Sequence, residues 1–278
     1  MPEQVLPDRY AVVGNPVAHS LSPRIHGAFA GQYGEALSYE AIELPVDDFA
    51  GGVAGLQREG YRGLNVTVPF KRDAWELCDS LSGRARTAGA VNTLQLHPDG
   101  RIEGDNTDGV GLVRDLTDNL GVDIGGRQVL ILGAGGAVRG VLEPLLALSP
   151  EHLTIANRTL QRAQALAQDF NAFGKIRAVA YNQLNSDGYH LIINATAAGL
   201  SNQVPPIPPA VLDPASVCYD MMYNLKSPTA FVEWARQQGV CNSYDGLGML
   251  VEQAAEAYAL WRGRRPDTAR VLSMLRAE

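Results

Sequence analysis

One lysine stands out as a candidate for proton transfer. The stretch Asn65–Lys71 ends in Lys71, two residues after Pro69, which is suited to the first position of a helix. The ammonium would then lie in a first helical turn, where a cation opposes the helix dipole by about 0.3–1 kcal/mol. That placement favours a chemical role over a stabilising one. A lysine whose stem carries its charge out to solvent is the equally weighted alternative.

Two aspartates surround the predicted start of a later helix, Asp108–Leu120. Asp105 or Thr107 is suited to cap this helix, and Asp108 suits its first turn as an anion. A cap explains one acidic residue but does not require two. We predict that ionised Asp108 orients the Lys71 ammonium and holds a substrate hydroxyl, a pairing that sequence spacing alone does not establish.

Two serines lie at a further predicted helix start. Ser22 is suited to be the N-cap and Pro23 the first helical residue. Because helix N-termini attract carboxylates, Ser20 and Ser22 are also candidates to bind a substrate carboxylate. We interpret the neighbouring His19 and His26 as neutral, hydrogen-bonded structural residues, and we expect no metal site.

A glycine-rich turn follows the predicted strand Val129–Leu132 and opens a helix, which is the context of a dinucleotide-binding turn. Gly133 permits the tight turn, and Gly135 lets the backbone approach a pyrophosphate at the helix N-terminus. Val138 replaces the third glycine of the usual G-x-G-x-x-G pattern, so the fingerprint is incomplete. A turn without a ligand is the alternative.

The strand Leu153–Ala156 ends without the carboxylate that binds the ribose 2′-hydroxyl in NAD enzymes. Arg158 follows it, with Arg162 one helical turn later, and an arginine can clamp a 2′-phosphate. These residues favour NADP over NAD, although a solvated surface arginine remains the alternative. Asn194–Gly199 follows another predicted strand and is equally consistent with a ligand-binding loop and a plain polar turn.

The composition excludes several function classes. The net charge of −7 comes without runs of like charge, so we expect neither nucleic acid nor an anionic membrane as a partner. Three cysteines without a CxxC spacing predict neither a disulfide framework nor structural zinc. We see no signal peptide in Met1–Asp8 and no apolar stretch long enough to span a membrane, and we expect a cytoplasmic protein.

Strands such as Ile176–Ala180 that alternate with helices predict an α/β fold of two domains with mostly parallel sheets and a small polar substrate held in the cleft between them. We expect a substrate-binding and catalytic domain at 1–108 and a Rossmann-like NADP-binding domain at 109–243. Residues 244–278 would form C-terminal helices, including a long helix Gly246–Trp261. This helix could close the second domain or return to the first, and the motifs favour the return.

Taken together, the motifs resemble the shikimate dehydrogenase family. The resemblance extends in order from residue 10 to residue 253. Its stretches are Gly14–Pro16, His19–Pro23, Asn65–Lys71, Ala88–Thr93, Gly104–Gly109, Gly133–Ala137, Asn157–Thr159, Asn194–Thr196, Tyr219–Tyr223 and Asp245–Met249 with Gln253. An incomplete glycine fingerprint is normal for that family.

The resemblance implies a reversible, NADPH-dependent reduction of 3-dehydroshikimate to shikimate, a step of aromatic amino acid biosynthesis. It implies Lys71 and Asp108 as the catalytic pair. The implied substrate ligands are Ser20, Ser22, Thr67, Asn92, Asp108, Tyr223 and Gln253. The implied NADP contacts are Gly133, Ala134, Gly135, Gly136 and Ala137 for the pyrophosphate, Asn157, Arg158, Thr159 and Arg162 for the 2′-phosphate, and Met221 and Gly246 beside the nicotinamide.

Two other functions fit the same motifs. One is a quinate/shikimate dehydrogenase that accepts quinate or uses NAD. The other is a non-catalytic, ligand-binding regulator on the same scaffold; such a protein could lose Lys71 or Asp108, and the presence of both residues argues against it. We expect a small molecule as the main partner, with a homodimer as a further possibility.

Overall fold

The computed structural model describes residues 7–185, 188–196 and 203–277. The chain divides into two compact units, each with a sheet and a hydrophobic core of its own. The first unit comprises Met1–Gly111 and Val251–Met274, and the second comprises Leu112–Leu250 and Leu275–Glu278. In the described part of the chain, no helix combines the length and apolar composition that a membrane span requires.

The first unit contains a six-stranded, mostly parallel sheet in the order β2-β1-β3-β5-β6-β4. Its strands are β1 Asp8–Gly14, β2 Leu37–Glu43, β3 Tyr61–Val66, β4 Ser80–Leu81, β5 Thr93–Leu96 and β6 Ile102–Asp105. Only β5 runs antiparallel to its two neighbours. Strand β1 lies inside the sheet with both of its faces buried, and this explains the continuous apolar run Tyr10–Val13.

Helices between these strands cover the sheet of the first unit. They are α1 Ser22–Tyr33, α2 Phe49–Arg58, α3 Lys71–Leu77 and α4 Gly83–Ala88. The later part of the long helix α9, Leu247–Arg262, also belongs to this unit. Trp261 donates to the Leu94 carbonyl at 3.0 Å, and Arg262 pairs with Asp8 at 2.6 Å. The expected return of a C-terminal helix to the first domain is therefore confirmed.

The second unit contains a six-stranded, entirely parallel sheet in the order β12-β11-β10-β7-β8-β9. Its strands are β7 Gln128–Leu132, β8 His152–Asn157, β9 Ile176–Ala180, β10 Leu191–Asn194, β11 Val217–Asp220 and β12 Asn242–Asp245. Counted from β7, this is the strand order of a doubly wound dinucleotide-binding sheet. The predicted Rossmann-like fold is confirmed, and its switch point lies between β7 and β10.

The helices of the second unit follow from buried apolar faces. They are α6 Gly136–Ala147, α7 Leu160–Asp169, α8 Ala230–Gln237 and the start of α9, with α10 Thr268–Arg276 ending at its boundary.

Val129 and Ile131 of β7 face one core cluster, whereas Leu130 and Leu132 face another. Since both faces of β7 are buried, its sequence is apolar at every inner position.

Two predicted helix starts are wrong in detail. Helix α1 begins after Leu21, which already has helical backbone angles, and Ser22 makes no cap; instead the Ser22 amide donates to the Ser20 hydroxyl at 3.2 Å. Helix α3 begins at Lys71 rather than Pro69, because a turn closed by the Phe70 amide and the Thr67 carbonyl, 3.1 Å apart, precedes it. Lys71 still lies in the first turn.

The predicted helix Asp108–Leu120 is also interrupted. Helix α5 spans Asp108–Arg114 and is followed by a π-helical turn, Asp115–Asn119. Neither Asp105 nor Thr107 caps it by a side chain in the contacts described, since the Asp108 amide donates to Oδ1 of Asn106 at 3.1 Å. Asp105 is engaged by Arg84 instead, at 2.7 Å.

Candidate functional site

The first unit brings Lys71 and Asp108 together. Lys71 opens α3 and Asp108 opens α5, and the ammonium donates to Oδ2 of the carboxylate at 2.6 Å. Their side chains are 24% and 10% exposed, so the pair is reachable from solvent only in part. The dipole of α5 favours the carboxylate, which in turn compensates an ammonium placed against the dipole of α3.

Asn92 holds the other oxygen of Asp108. Its Nδ2 donates to Oδ1 of Asp108 at 2.8 Å, and its own Oδ1 accepts the Thr107 amide at 2.8 Å. Asn92 is 3% exposed and precedes β5. The carboxylate is thus fixed from both sides, by a cation and by a neutral amide.

Gln253 joins this group from α9. Its Oε1 accepts from Asn92 Nδ2 and from Thr107 Oγ1, each at 3.3 Å. The residue is 9% exposed. Because this part of α9 belongs to the first unit, a residue so late in the sequence reaches Lys71 and Asp108. Of the predicted substrate ligands, Asn92, Asp108 and Gln253 therefore form one connected hydrogen-bond network.

Two residues that the sequence analysis did not single out extend this network to the serines. Tyr39 on β2 donates to Oδ1 of Asn65 at 2.6 Å, and Asn65 donates to the Asn92 carbonyl at 3.3 Å. Burial raises the pKa of Tyr39 well above its ordinary value, and a hydrogen bond from Ser22 opposes the shift. The phenol is therefore neutral and able to donate. Ser20 lies beside Ser22, its hydroxyl 3.2 Å away.

The signal for these two residues differs. Asn65 was visible as a polar residue in a buried strand, whose 5% exposure demands hydrogen-bond partners. Tyr39 carried no such signal, because a tyrosine in a half-polar edge strand is ordinary.

Thr67 follows β3, and its hydroxyl has no hydrogen-bond partner in the described part of the chain. Its methyl group packs against Gly14, where an added Cβ would approach Thr67 Cγ2 to 2.5 Å. This contact places the methyl group of Thr67 against the end of β1 and leaves the hydroxyl as a free donor and acceptor.

His26 on α1 packs against Tyr39 of this network and is completely buried. Its ring stacks on Tyr39 with centroids 4.2 Å apart. Burial lowers its pKa from 6.5 to about 3, and the nearby Asn65 opposes this shift only in part, so the ring is neutral. The predicted hydrogen bonds are wrong: within the described structure neither ring nitrogen has a partner.

The second unit carries the glycine turn at the carboxyl end of β7. Gly133 has a φ of +111°, and a Cβ there would meet the Ala195 carbonyl at 3.1 Å, so only glycine fits. Gly135 and Gly136 face open space, and α6 begins without a side-chain cap. Uncapped amides beside bare glycines form a cradle that fits a pyrophosphate.

Around this turn, Ala134 is half-buried and Ala137 exposed, whereas Val138 is completely buried in the core. The third fingerprint glycine normally permits close packing of helix on strand. Here the isopropyl group of Val138 fills that space instead. The incomplete fingerprint is therefore a difference in packing beneath the turn and leaves the turn itself unchanged.

The residues predicted for the 2′-phosphate lie together at the end of β8. Asn157 donates to the Thr159 carbonyl at 2.8 Å and so tightens the turn that presents Arg158. Arg158 and Arg162 are exposed, and no carboxylate in the described residues pairs with either. Two unpaired guanidinium groups at a strand end suit a dianionic phosphate.

Met221 and Gly246 also meet in the second unit. They directly follow β11 and β12, and a Cβ on Gly246 would collide with the Met221 carbonyl. The glycine is thus required by the close approach of two chain segments. Asn194 nearby donates to Asp220 at 3.1 Å, and Asp220 accepts from Thr229 at 2.6 Å.

Tyr223 belongs to the second unit, half-buried in the loop after β11. Burial raises its pKa, and none of its described contacts joins it to the other predicted substrate ligands. In the Asn194–Gly199 stretch, residues 197–199 lie outside the described residues. Among the residues described, no group of three or more potential metal ligands converges.

Family models match most of the chain. The model of the shikimate dehydrogenase substrate binding domain matches residues 12–94, and that of shikimate / quinate 5-dehydrogenase matches residues 115–201. The model of the shikimate 5′-dehydrogenase C-terminal domain matches residues 246–275.

Individual proteins agree with the family models. A shikimate dehydrogenase (NADP(+)) of Thioalkalivibrio sulfidiphilus is 56% identical over 97% of this chain and 98% of its own. One from Methylococcus capsulatus is 53% identical over 98% and 97%. The crystal structure of shikimate 5-dehydrogenase from Thermus thermophilus in complex with NADP(H) and shikimate is 35% identical, with a TM-score of 0.86 over 97% of this chain and 99% of that one. The chain belongs to the shikimate dehydrogenase family.

Proposed function

We propose that the protein catalyses the reversible, NADPH-dependent reduction of 3-dehydroshikimate to shikimate in aromatic amino acid biosynthesis. The observation that carries this proposal is the 2.6 Å contact between the Lys71 ammonium and the Asp108 carboxylate, set among amides and hydroxyls. Such a group of donors and acceptors suits a polyhydroxylated ring with one reducible ketone. The relatives named above support the choice of this particular ring.

The substrate ligands in this proposal come in two groups. Ser20 and Ser22 donate to the ring carboxylate from the start of α1. The remaining ligands of the hydroxyl and carboxylate groups are Thr67, Asn92, Asp108, Tyr223 and Gln253. Because each buried polar group needs a partner, a site of this kind rejects an analogue that lacks one hydroxyl.

Lys71 is proposed to protonate the oxygen of the ketone as it is reduced. NADPH, when bound, supplies the hydride that adds to the carbonyl carbon, and the carbonyl electron pair moves to oxygen. Lys71 donates a proton to this oxygen and recovers one from solvent, to which its side chain is 24% exposed. Asp108 keeps the ammonium oriented, and Asn92 keeps Asp108 oriented.

The cofactor is proposed to be NADP, held by the glycine turn and by Arg158. Gly133–Ala137 would bind the pyrophosphate at the start of α6. Asn157, Arg158, Thr159 and Arg162 would bind the 2′-phosphate, and Met221 and Gly246 would line the nicotinamide pocket. The lack of a carboxylate at the end of β8 supports NADP over NAD.

A four-way kinetic panel tests the proposed function. NADP⁺ and NAD⁺ are each reduced with shikimate and with quinate, and kcat/KM is compared. We expect shikimate with NADP⁺ to give the highest value by at least about tenfold. Comparable values with quinate or NAD⁺ would support the broader quinate/shikimate enzyme. Binding of shikimate without turnover in any arm would support the non-catalytic regulator.

Two further parts of the proposal concern the whole protein. We propose that the protein is cytoplasmic and forms a homodimer. We further propose that it binds neither nucleic acid nor a membrane. The net charge of the chain, −7, supports the lack of a nucleic acid or anionic membrane as a partner. Light scattering after size exclusion measures the oligomeric state directly.

A further inference from the structure

An ion cluster of five side chains, Arg84, Asp105, Glu252, Glu256 and Arg265, joins α4, β6 and α9 in the first unit. Arg84 is its centre. Its Nε and Nη2 donate to the two carboxylate oxygens of Asp105 at 2.7 and 2.8 Å. Its Nη1 donates to Oε1 of Glu256 at 3.0 Å. Arg265 pairs with both glutamates and completes the cluster.

The part of the cluster around Arg84 is largely shielded from water, whereas the Arg265 side chain is 34% exposed. The side chains of Arg84, Asp105 and Glu256 are 24%, 14% and 17% exposed. Burial alone would lower the pKa of Arg84, but its hydrogen bonds with Asp105 and Glu256 raise it. A two-pronged contact of this kind fixes direction as well as distance, which a lysine ammonium cannot do.

Each end of the cluster lies next to a proposed substrate ligand. Asp105 ends β6, where its carbonyl accepts the Asn92 amide at 3.0 Å, and Asp108 follows on the same segment. Glu256 lies one helical turn after Gln253 on α9. Arg84 therefore links the segment that carries Asp108 to the helix that carries Gln253.

We propose that Arg84 is a positioning residue for the reaction. By holding Glu256 against Asp105, it sets where Gln253 stands relative to Asn92 and Thr107, and so fixes the geometry of the substrate ligands. This inference rests on the proposed function, in which Gln253 binds substrate. A displacement of about 1 Å in such a site is enough to cost up to about a hundredfold in rate.

The test compares Arg84→Gln with Arg86→Gln. Arg86 lies on the same helix and is exposed, and its side chain donates only to the Leu81 carbonyl in the described contacts, so its variant is a matched control. We expect Arg84→Gln to raise the KM for shikimate about tenfold and to lower kcat less, while the KM for NADP⁺ stays unchanged. Arg84→Lys should recover only part of the loss, and Arg86→Gln should match the parent.

A double variant separates positioning from mere support of the fold. If Arg84 acts through Gln253, then Arg84→Gln adds little once Gln253→Ala is present, and the two losses are not additive. If Arg84→Gln lowers only the melting temperature, or if the losses add fully, the inference is overturned. If Arg84→Gln does not fold, Glu256→Gln takes its place in the same cycle, with the same two outcomes.

The same measurements distinguish this inference from the proposed function. Gln253→Ala with a normal KM for shikimate would contradict the proposed role of Gln253 and overturn the inference with it. Gln253→Ala with a raised KM, beside an Arg84→Gln enzyme with parental KM and kcat, would overturn the inference alone.

Discussion

Lys71 and Asp108 stabilise each other in positions that would otherwise be unequal. The first turn of α5 favours the carboxylate, whereas the first turn of α3 disfavours the ammonium. The 2.6 Å contact between the two groups lets the favourably placed carboxylate compensate the unfavourably placed ammonium. The result is a cation held in one direction at a site that is only partly open to water.

Replacement of Lys71 should separate proton donation from stabilisation of charge as the role of this residue. In Lys71→Met we expect kcat to fall by about 10²–10⁴-fold with little change in the KM for shikimate, since the lost group acts mainly in the transition state. Lys71→Arg keeps the charge but does not release a proton near neutral pH. Steady-state kinetics on both variants give the answer.

The matched control is Arg72→Met, an exposed cation next in sequence whose described contacts are an ion pair with Glu76 and a stack on the Trp75 ring. It should retain parental kinetics. Substantial activity in Lys71→Arg would assign the lysine to charge stabilisation rather than proton donation. A Lys71→Met enzyme with near-parental kcat would remove the residue from the chemistry.

His26 should make the protein less stable as the pH falls. Its pKa in the folded chain is about 3, below the ordinary 6.5, so the unfolded chain takes up the proton first. Its contribution to stability is present above pH 6.5 and is lost progressively toward pH 3. Between pH 7 and pH 5 the expected loss from this residue is roughly 2 kcal/mol.

Urea unfolding of His26→Leu at pH 7 and pH 5 measures this contribution. The variant should lose about 2 kcal/mol less stability between the two pH values than the parent. His19→Leu, which alters an exposed histidine near the same helix, should keep the parental difference. An unchanged pH dependence in His26→Leu would mean that another group is responsible.

At the scale of elements, the turn after β7 depends on one backbone conformation. Gly133→Ala forces a side chain into a φ of +111° beside the Ala195 carbonyl. We expect a loss of about 1–3 kcal/mol in the free energy of unfolding, because non-glycine residues are strained there. Weaker NADP⁺ binding should accompany it. Chemical denaturation and fluorescence titration measure the two effects.

Gly136→Ala is the control for the backbone argument. Its Cβ would meet nothing within 4 Å, and the residue opens α6 with an ordinary φ. The free energy of unfolding should stay the same or rise by up to about 1 kcal/mol, since alanine favours helix. Equal destabilisation by both substitutions would contradict the strain at Gly133.

Elements with strong local signals were predictable. The apolar runs predicted β7 to within one residue and β9 at its observed ends, and the glycine turn opened a helix as expected. The cap at Ser22 and the start at Pro69 were wrong because the backbone turns one or two residues away from where residue type points. The π-helical turn at Asp115–Asn119 left no local signal at all.

At the scale of the whole molecule, each unit should respond to its own ligand. In hydrogen exchange, NADP⁺ alone should protect the amides of residues 133–138 and 157–162, and shikimate alone those of residues 65–71 and 105–108. The reason is that the proposed contacts of each ligand are concentrated in one unit. Mass spectrometry of peptides from the parent resolves these segments.

Arg158→Ala is the control for the cofactor part. It should lose much of the protection by NADP⁺ while keeping the protection by shikimate, and its preference for NADP⁺ over NAD⁺ should fall. An unchanged cofactor preference would contradict the assignment of Arg158 to the 2′-phosphate. Protection by NADP⁺ confined to the first unit would contradict the proposal that the cofactor binds to the second unit.

Site residues could be predicted from the sequence where the residue type is unfavourable or unnecessary for the local structure. They could not be predicted where they depend on contacts with residues far away in the sequence. Lys71 against a helix dipole and Asp108 beyond the need of a cap both pointed to chemistry. Their contact, and the arrival of Gln253, depend on a sheet and a returning helix that no local pattern encodes. Tyr39 and Arg84 act only through such distant contacts, so sequence periodicity did not reveal them.

Val138 has a consequence for redesign of the cofactor turn. A search for the full three-glycine fingerprint would pass over this chain, and a designer would be tempted to restore the missing glycine. Val138→Gly would instead empty a completely buried site and loosen the first turn of α6, at a combined cost of about 3 kcal/mol or more. In this protein the Val138 side chain packs under the helix where a glycine would allow direct contact with the backbone. The two kinds of packing cannot be exchanged by a single substitution.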